Sequence, residues 1–310
     1  MRHTTPFVLS AVLVGTVVLT GCASRDVNSV NSANSSAAPT CAVPTPTGGA
    51  AGSKRENVTI VSPGCRTSPG STPEFEVTNT ESEPFTYTVT FSVLNTAGEV
   101  LDSIPQTVAS VAPGRTVRQA VDTGQSGSMT AGSVTSGSGA SGSGTAKAGS
   151  QLRIAKVRAV PTSEAPVAAG VCPPSGIRVA AGEVEAAMGL RAMGLRLTNC
   201  GSGAYRVNGY PRLQVLDEER KPVDGIRILQ GTDRIATGVV PDAAPQPVTL
   251  QPGESASATL AWRNTTGSGD PVNVPYVRVT AQTGAPSVIV TPELDLGTTG
   301  QIGASAWKHA

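Results

Sequence analysis

The side chains that most often carry catalysis are scarce in this sequence. Histidine occurs only as His3 and His309. A Ser/His/Asp or Cys/His site needs an imidazole that a third group holds in place, and His309 stands next to the last residue, where chains usually fray. We therefore expect no histidine-dependent catalytic site and no metal centre built on clustered histidines.

Carboxylates are the remaining candidates for acid–base chemistry. Two of them in one cleft could hydrolyse glycosidic bonds. The acidic residues that the strand pattern assigns to loops or turns are Glu81, Glu83, Glu183, Glu185, Asp217, Glu218 and Asp233. No spacing among them identifies a catalytic pair, so we predict no catalytic residues. A cell-wall glycan or peptide hydrolase that uses loop carboxylates is the alternative.

The most specific reactive residue is Cys22, at the end of an apolar leader. Arg2 supplies a positive charge, residues 7–20 form an apolar run of about 14 residues, and Leu19-Thr20-Gly21-Cys22 closes it. The pattern resembles a bacterial lipobox, in which the leader is cut before the cysteine and the thiol receives acyl chains such as palmitate. The run is short for a span of ~30 Å of hydrocarbon, so a transmembrane helix is a weaker alternative, as is a plain secretory signal.

This leader predicts where the protein resides. Because two acyl chains hold a protein at a membrane where one does not, we expect a signal peptide over residues 1–21 and a lipoprotein anchored through acylated Cys22. The protein would lie on the extracytoplasmic face of the cell membrane.

The other four cysteines, Cys41, Cys65, Cys172 and Cys200, would then lie in a compartment where disulfides persist. Four cysteines allow three pairings. We favour Cys41 with Cys65 and Cys172 with Cys200, one bridge for each region. A redox pair or a thiolate metal site lacks any Cys-x-x-Cys spacing, so we expect no metal and no cofactor.

Composition limits the possible partners. Without Arg2 the basic residues fall from 23 to 22, equal to the 22 acidic ones. No basic stripe is available to neutralise phosphates, and nucleic acid is not an expected partner. The 310 residues, with 35 glycines and 24 prolines, allow two modest domains and flexible segments.

The pattern of apolar residues favours strands throughout. Residues 85–93 alternate strictly between apolar and polar side chains, which predicts a half-buried antiparallel strand. We predict an all-β fold of two tandem antiparallel immunoglobulin-like β-sandwiches. The expected segments are a flexible tether at 22–55, a first sandwich at 56–160, a hinge at 161–170, a second sandwich at 171–300 and a tail at 301–310.

An internal repeat indicates which domain contains the glycine- and serine-rich tract, residues 124–150. Phe75-Glu-Val-Thr-Asn79 recurs as Leu195-Arg-Leu-Thr-Asn199, and Val111-Ala-Pro-Gly114 recurs as Leu250-Gln-Pro-Gly253. The repeat assigns residues 152–158, beyond the tract, to the first copy. We therefore predict that the tract is a loop inserted in a terminal hairpin of the first sandwich, not a domain boundary.

From Cys172 onward the sequence contains a set of short motifs: Leu197-Thr-Asn-Cys200-Gly, Asn208-Gly-Tyr-Pro211, Val215-Leu-Asp217, Val248-Thr-Leu-Gln-Pro-Gly253, Ala261-Trp-Arg-Asn264, Pro275-Tyr276, Thr291-Pro292 and Leu294-Asp-Leu-Gly297. The combination resembles the family called domain of unknown function 4232, found in secreted and lipid-anchored actinobacterial proteins. The resemblance implies a β-sandwich with one disulfide on an exported protein, and no established activity.

The motif residues of greatest interest are Asn199, Gly209, Tyr210, Pro211, Pro252, Gly253, Trp262 and Tyr276. Structural roles are expected first: Gly209-Tyr210-Pro211 at a strand bend, Pro252-Gly253 in a turn, and Trp262 facing the core. The function that fits best is a non-catalytic surface lipoprotein that binds an unidentified envelope or extracellular partner. A purely structural envelope role is a further alternative.

Overall fold

The computed structural model describes residues 52–62, 73–95, 97–122, 151–239 and 244–310. All of them belong to the same structural unit, which spans residues 41–310. The predicted signal peptide, most of the tether, the Gly/Ser tract at 124–150, Cys22, and the proposed Cys41–Cys65 bridge lie outside the described residues.

The prediction of an all-β fold with antiparallel sheets is confirmed. Within the described residues the one helical segment is a 3-10 turn, Thr162–Glu164. No helix in this part of the chain is long and apolar enough to cross a bilayer.

The first sandwich comprises seven strands: β1 Lys54–Arg55, β2 Val58–Ser62, β3 Glu74–Thr78, β4 Phe85–Leu94, β5 Val100–Val111, β6 Thr116–Ala120 and β7 Gln151–Pro161. A sheet in the order β1-β2-β3-β6 packs against a sheet in the order β5-β4-β7. The apolar face of β4 fills the space between them, because alternate side chains of a strand point to one face. Phe75 of β3 meets Phe91 of β4 edge to face, with ring centroids 4.9 Å apart.

The second sandwich comprises the remaining strands: β8 Ile177–Ala187, β9 Leu190–Asn199, β10 Tyr205–Val207, β11 Arg212–Leu216, β12 Arg227–Gln230, β13 Val248–Leu250, β14 Ser255–Arg263, β15 Val272–Val274, β16 Tyr276–Thr280, β17 Ser287–Val290, β18 Leu294–Gly297, β19 Gln301–Ala304 and β20 Lys308–His309. The large sheet has the order β12-β19-β14-β9-β8, and β20 also pairs with β14. Facing it are β11-β16-β17 and the pairs β10-β13 and β15-β18. Trp262 and Trp307 lie in the core between these layers.

The two sandwiches share the repeat that the sequence predicts. A buried asparagine lies at the end of β3 in one (Asn79, the residue after the strand) and at the end of β9 in the other (Asn199, its last residue). In both, the side-chain amide donates to a carbonyl oxygen four residues ahead and to one on a distant strand. The repeat therefore reflects a common three-dimensional turn and not only a similar composition.

The predicted terminal hairpin around the Gly/Ser tract is wrong. β6 and β7 flank the tract, but β6 pairs with β3 whereas β7 pairs with β4. The two strands lie in different sheets of the first sandwich, so the tract joins the sheets. Pairing follows the buried faces of β3 and β4 and not proximity along the chain, because those faces form the core.

The predicted hinge at 161–170 is also corrected, because its first residues are held by ordered contacts. Pro161 is the last residue of β7, and Thr162–Glu164 form the 3-10 turn. Glu164 accepts hydrogen bonds from Nε (2.7 Å) and Nη2 (2.9 Å) of Arg278, which lies on β16 of the second sandwich. A bidentate ion pair of this kind fixes geometry as well as adding energy.

A second set of contacts joins the sandwiches beside the turn. Arg158 of β7 donates from Nε and Nη2 to the two carboxylate oxygens of Glu293, both at 2.7 Å. The hydroxyl oxygen of Tyr276 accepts from the Ala159 amide (3.2 Å). Val160, Leu216, Tyr276 and Ile289 form a small buried cluster there. The two sandwiches therefore contact each other directly, in addition to being consecutive in the chain.

Two further predicted boundaries need correction. The segment expected as a tail, 301–310, contributes β19 and β20 to the large sheet, and Trp307 is buried. The predicted tether extends to residue 55, but Lys54 and Arg55 pair with β2. Short polar strands of this kind carry no apolar alternation, so local sequence does not reveal them.

Candidate functional site: a groove at an interrupted strand

The candidate site lies where the second sandwich departs from the first. In the first, β4 runs without interruption from Phe85 to Leu94. In the second, the corresponding stretch is split into β10 and β11 by Asn208–Pro211, the Gly-Tyr-Pro motif. Gly209 has φ +86°, a region that favours glycine, and Pro211 lacks an amide hydrogen for a ladder bond. The motif therefore forces the break.

The strand that follows also behaves differently. In the first sandwich β5 comes next and pairs along β4. In the second, β12 comes next but joins the opposite sheet, where it pairs in parallel with β19. In the described part of the chain no strand pairs with β11 other than β16, apart from an isolated bridge from Leu216 to Pro222. The edge of β11 away from β16 is left open over residues 212–214, whereas the Val223 amide covers the Val215 carbonyl oxygen farther along.

A groove of about 700 Å³ occupies this position. Its walls come from the open side of β11, from β12, from the Gly-Tyr-Pro break and from the turn after β16. The lining residues are Asn208, Gly209, Tyr210, Pro211, Arg212, Leu213, Ile228, Leu229, Gln230, Gln282, Thr283 and Ala304. Most of the polar groups are uncharged amides and hydroxyls, which suits recognition of a polar, extended ligand.

Arg212 is the one charged residue of this lining. Its Nη1 donates to the Thr283 hydroxyl oxygen (2.9 Å), which holds the side chain at the rim. Among the described residues no carboxylate pairs with Arg212, in contrast to Arg158, Arg220 and Arg278. Its remaining donors are available to an anionic group on a ligand.

The floor of the groove is anchored by the C-terminal segment. The Trp307 amide donates to the Gly209 carbonyl oxygen (2.9 Å). Trp307 Nε1 donates to the Ala281 carbonyl oxygen (2.9 Å). Buried indole rings with satisfied N–H groups are rigid supports, so the break at Gly209 is held on a fixed base.

Other motif residues support the fold away from the groove. Trp262 is fully buried, and its Nε1 donates to Oδ1 of Asp295 (2.7 Å). Oδ2 of Asp295 accepts from Asn264 (3.1 Å) and pairs with Arg191 (2.9 Å). Asp295 thus links two of the motifs identified in the sequence, Ala261-Trp-Arg-Asn264 and Leu294-Asp-Leu-Gly297.

The turn motif and Tyr276 have different partners. Gly253, after Pro252, has φ +89° and donates its amide to the Asn199 carbonyl oxygen (2.7 Å). Tyr276 lies at the contact between the sandwiches, where burial raises the pKa of its hydroxyl. Of the motif residues singled out from the sequence, only Gly209, Tyr210 and Pro211 line the groove.

The carboxylates considered for acid–base chemistry have other roles or locations. Glu81 pairs with Arg220 (2.6 Å) and Glu218 with Arg158 (3.2 Å). Oδ1 of Asp217 accepts from the Lys221 amide (2.8 Å), which closes a turn. Glu183 and Glu185 lie on β8, so their assignment to a loop or turn is corrected. No group of three or more His, Cys, Asp or Glu side chains within the described ranges could hold a metal ion.

The predicted bridge between Cys172 and Cys200 is present, with Cα atoms 5.7 Å apart. It ties the start of the second sandwich to the residue after β9. Next to it the amides of Cys200 and Gly201 both donate to the Gly176 carbonyl oxygen (2.9 Å each). The bridge lies on the motif turn and not in the groove.

Sequence reasoning missed Arg212, Ile228 and Gln282 as groove residues. Arg212 directly follows Pro211, so its proximity to the motif was the one available signal. β12, which carries Ile228, is four residues long without alternation, and its pairing with β19 joins positions far apart in the chain. No local pattern predicts a strand that changes sheets.

The class that the fold and groove define is a β-sandwich protein with a ligand-sized groove at an interrupted strand. Residues 172–308 match the family model described as Domain of unknown function (DUF4232). The match covers the C-terminal half of the chain, including the disulfide, the groove and β19, and confirms the resemblance inferred from the motifs. No match was found among curated proteins or among solved structures.

Proposed function

We propose that this protein is a non-catalytic, lipid-anchored protein of the extracytoplasmic cell surface whose second sandwich binds an envelope or extracellular partner in the groove beside Gly209–Pro211. The observation that carries the proposal is the open edge of β11. An interrupted strand and a displaced neighbour leave a groove of about 700 Å³, a size typical of ligand sites.

Three properties of the groove support binding without turnover. Its lining contains one charged residue, Arg212, and no carboxylate. Tyr210 and Arg212 flank a proline that fixes the backbone, and Trp307 anchors the glycine before them. Rigid elements with a positive charge held at one rim are suited to hold a ligand in a single orientation.

The lipid anchor is supported by the sequence pattern that ends at Cys22. Cys22→Ala is expected to move the protein from the membrane fraction to the soluble fraction or the medium, because acyl chains account for retention. Cell fractionation with an immunoblot measures this. Cys22→Ala protein that stays fully membrane-associated would contradict the anchor but would leave the groove untouched.

Site-specific photocrosslinking tests the groove. A benzoylphenylalanine at Ile228, which is 42% exposed on the groove wall, is irradiated in intact cells that produce the full chain. The matched control carries the same group at Val100, which is 58% exposed on β5 of the first sandwich. We expect a discrete adduct from position 228 alone. Absence of adducts at 228, or the same adducts at both positions, would contradict binding at the groove and favour a purely structural role.

The hydrolase alternative makes a different prediction. Purified protein incubated with cell-wall glycan and peptide fragments is expected to release no product. Turnover that is lost in Glu183→Gln or Glu185→Gln, the carboxylates on β8, would overturn the non-catalytic proposal. Mass spectrometry of the soluble products measures the outcome.

A further inference from the structure

The first sandwich shows what kind of element fits the open edge of β11. In the first sandwich, β5 pairs with the edge of β4 that corresponds to the open edge of β11. β5 belongs to the same chain. Ile104 of β5 packs against the core there. The two sandwiches share the asparagine turn and the return strand, β7 in one and β16 in the other. The natural occupant of the open edge is therefore an extended strand with apolar side chains.

The backbone of β11 is oriented to accept such a strand. The Val223 amide donates to the Val215 carbonyl oxygen (3.0 Å), on the side of β11 away from β16. Backbone groups of alternate residues in an antiparallel strand point to the same side. The amide and carbonyl of Leu213 therefore point to the open side as well, and Leu213 lines the groove. Those of Gln214 point to β16, where Gln214 is in register with Arg278.

The side chains of the groove specify the chemistry of the strand. Leu213 and Ile228 offer apolar contacts from the two walls, and Ile228 is 42% exposed and therefore accessible to a ligand. Arg212 adds a positive charge at the rim, without a carboxylate partner among the described residues. Charge complementarity calls for a carboxylate on the ligand.

We infer that the groove holds an extended, carboxylate-bearing peptide, which adds as a strand to the open edge of β11 in the place that β5 fills in the first sandwich, with its carboxylate on Arg212. The inference rests on the proposed function and names the class of partner. Strand addition of this kind draws affinity from main-chain hydrogen bonds and specificity from alternate side chains.

The probe is a fluorescein-labelled peptide of alternating threonine and valine that ends in glutamate with a free carboxyl terminus, titrated into the full-length protein by fluorescence anisotropy. Two N-methylated versions carry the methyl groups on alternate residues, one in each frame. Because only one frame points its amides at β11, we expect one N-methylated version to lose at least about tenfold in affinity and the other to bind like the parent. Equal binding of both, or no saturable binding of the parent peptide below about 1 mM, would overturn strand addition.

The substitution Arg212→Gln tests the role of the positive charge at the rim. The matched control is Arg196→Gln, which also removes one exposed guanidinium, on β9 of the same sandwich. Arg212→Gln is expected to weaken binding of the free-acid peptide about tenfold, and to leave binding of a peptide with amidated carboxyl groups unchanged. Arg196→Gln is expected to change neither. Equal effects of the two substitutions would overturn the role of Arg212.

Binding at the groove and peptide recognition are contradicted by different results. A discrete adduct at position 228 that proves to be a glycan or a lipid would overturn the peptide inference while supporting the groove as a binding site. Absence of both adducts and peptide binding would overturn both.

Discussion

Asn79 and Asn199 occupy equivalent positions in the two sandwiches and make the same hydrogen bonds. Asn199 donates from Nδ2 to the carbonyl oxygens of Gly203 and Leu250, both at 2.8 Å. Asn79 donates in the same way to Glu83 (2.8 Å) and Val111 (2.7 Å). In each case Oδ1 accepts from the amide two residues ahead. A carboxamide is required here because the site needs both donors and an acceptor.

Asn199→Asp is therefore expected to lower the free energy of unfolding by about 3 kcal/mol, since a buried carboxylate would face two carbonyl oxygens. Denaturant titration followed by tryptophan fluorescence measures the change. The control is Asn95→Asp in an exposed turn, where the substitution keeps the bonds that Oδ1 accepts from the Ala97 and Glu99 amides. It loses the bond from Nδ2 to Oε2 of Glu99 (2.7 Å), but solvent screens the two exposed carboxylates that this leaves together. A loss at position 199 no larger than at position 95 would contradict the role of the amide.

Gly297 lies against fixed backbone atoms that leave no room for a side chain. It has φ +54°, and a Cβ atom there would lie 2.2 Å from the Thr265 carbonyl oxygen. Gly297→Ala is expected to cost more than about 3 kcal/mol of unfolding free energy, because a steric clash adds to the cost of a left-handed conformation. Gly284→Ala is the matched control, since Gly284 has φ +82° but a Cβ atom there would meet no other atom within 4 Å. This control should cost about 1 to 2 kcal/mol, and an equal cost at both positions would contradict the clash.

Two tyrosines have buried hydroxyl groups that differ in their hydrogen bonding. The Tyr205 hydroxyl is buried without a hydrogen-bond partner among the described residues, and burial raises its pKa. The side chain of Gln282 lies near enough to lower that pKa in part, but its Nε2 donates to the Arg206 carbonyl oxygen (3.0 Å) and not to the Tyr205 hydroxyl. The Tyr87 hydroxyl, in contrast, donates to Oδ1 of Asn79 (3.2 Å).

Tyr205→Phe is expected to raise the free energy of unfolding by about 1 kcal/mol, because it removes an unsatisfied polar group. Tyr87→Phe is expected to lower the same quantity by about 1 kcal/mol. Thermal and denaturant unfolding of both variants measure these changes in unfolding free energy. Destabilisation of equal size in the two variants would show that the Tyr205 hydroxyl has a partner.

Glu164 links the contact between the sandwiches to pH. Burial opposes ionisation of its carboxyl, but hydrogen bonds from Arg278 and Ser287 outweigh burial and hold the pKa below its ordinary value. A carboxyl with a lowered folded-state pKa contributes stability that is fully present above the unfolded-state pKa of about 4.3. This contribution is lost as the pH falls through the folded-state pKa.

Glu164→Gln is therefore expected to reduce the slope of unfolding free energy against pH in the acid range while lowering stability at neutral pH. Denaturant titrations at a series of pH values measure both. Glu99→Gln, in an exposed turn, controls for the loss of one carboxylate. The same slope for Glu164→Gln and for the unaltered protein would show that the ion pair with Arg278 does not form in solution.

The sequence predicts those parts of the fold that depend on local pattern. The alternation over residues 85–93 predicts β4, and the repeated asparagine motif predicts the equivalent turns after β3 and β9. Non-local pairings escaped prediction. β12 pairs with β19, and Arg158 bonds to Glu293 across a separation of 135 residues. Neither contact produces a periodic pattern of apolar residues in the sequence.

For the candidate site, too, the local motif could be predicted from the sequence and the groove could not. Gly209-Tyr210-Pro211 is visible in the sequence as a strand bend, because glycine and proline have distinctive backbone effects. The groove itself arises because β12 leaves β11 for the opposite sheet, and that change depends on the C-terminal segment for which the sequence predicts a tail. Trp307 could have indicated the correction, since large rings seldom stay exposed.

Amide hydrogen exchange at Leu213 and Gln214, measured by NMR with and without the free-acid peptide, shows whether a strand adds to the edge of β11. In the free protein the Leu213 amide, at the open edge, is expected to exchange rapidly, and the Gln214 amide, bonded to β16, slowly. Saturating peptide should slow exchange at Leu213 at least about tenfold and leave Gln214 unchanged. Bound peptide with unaltered exchange at Leu213 would contradict strand addition at the edge of β11.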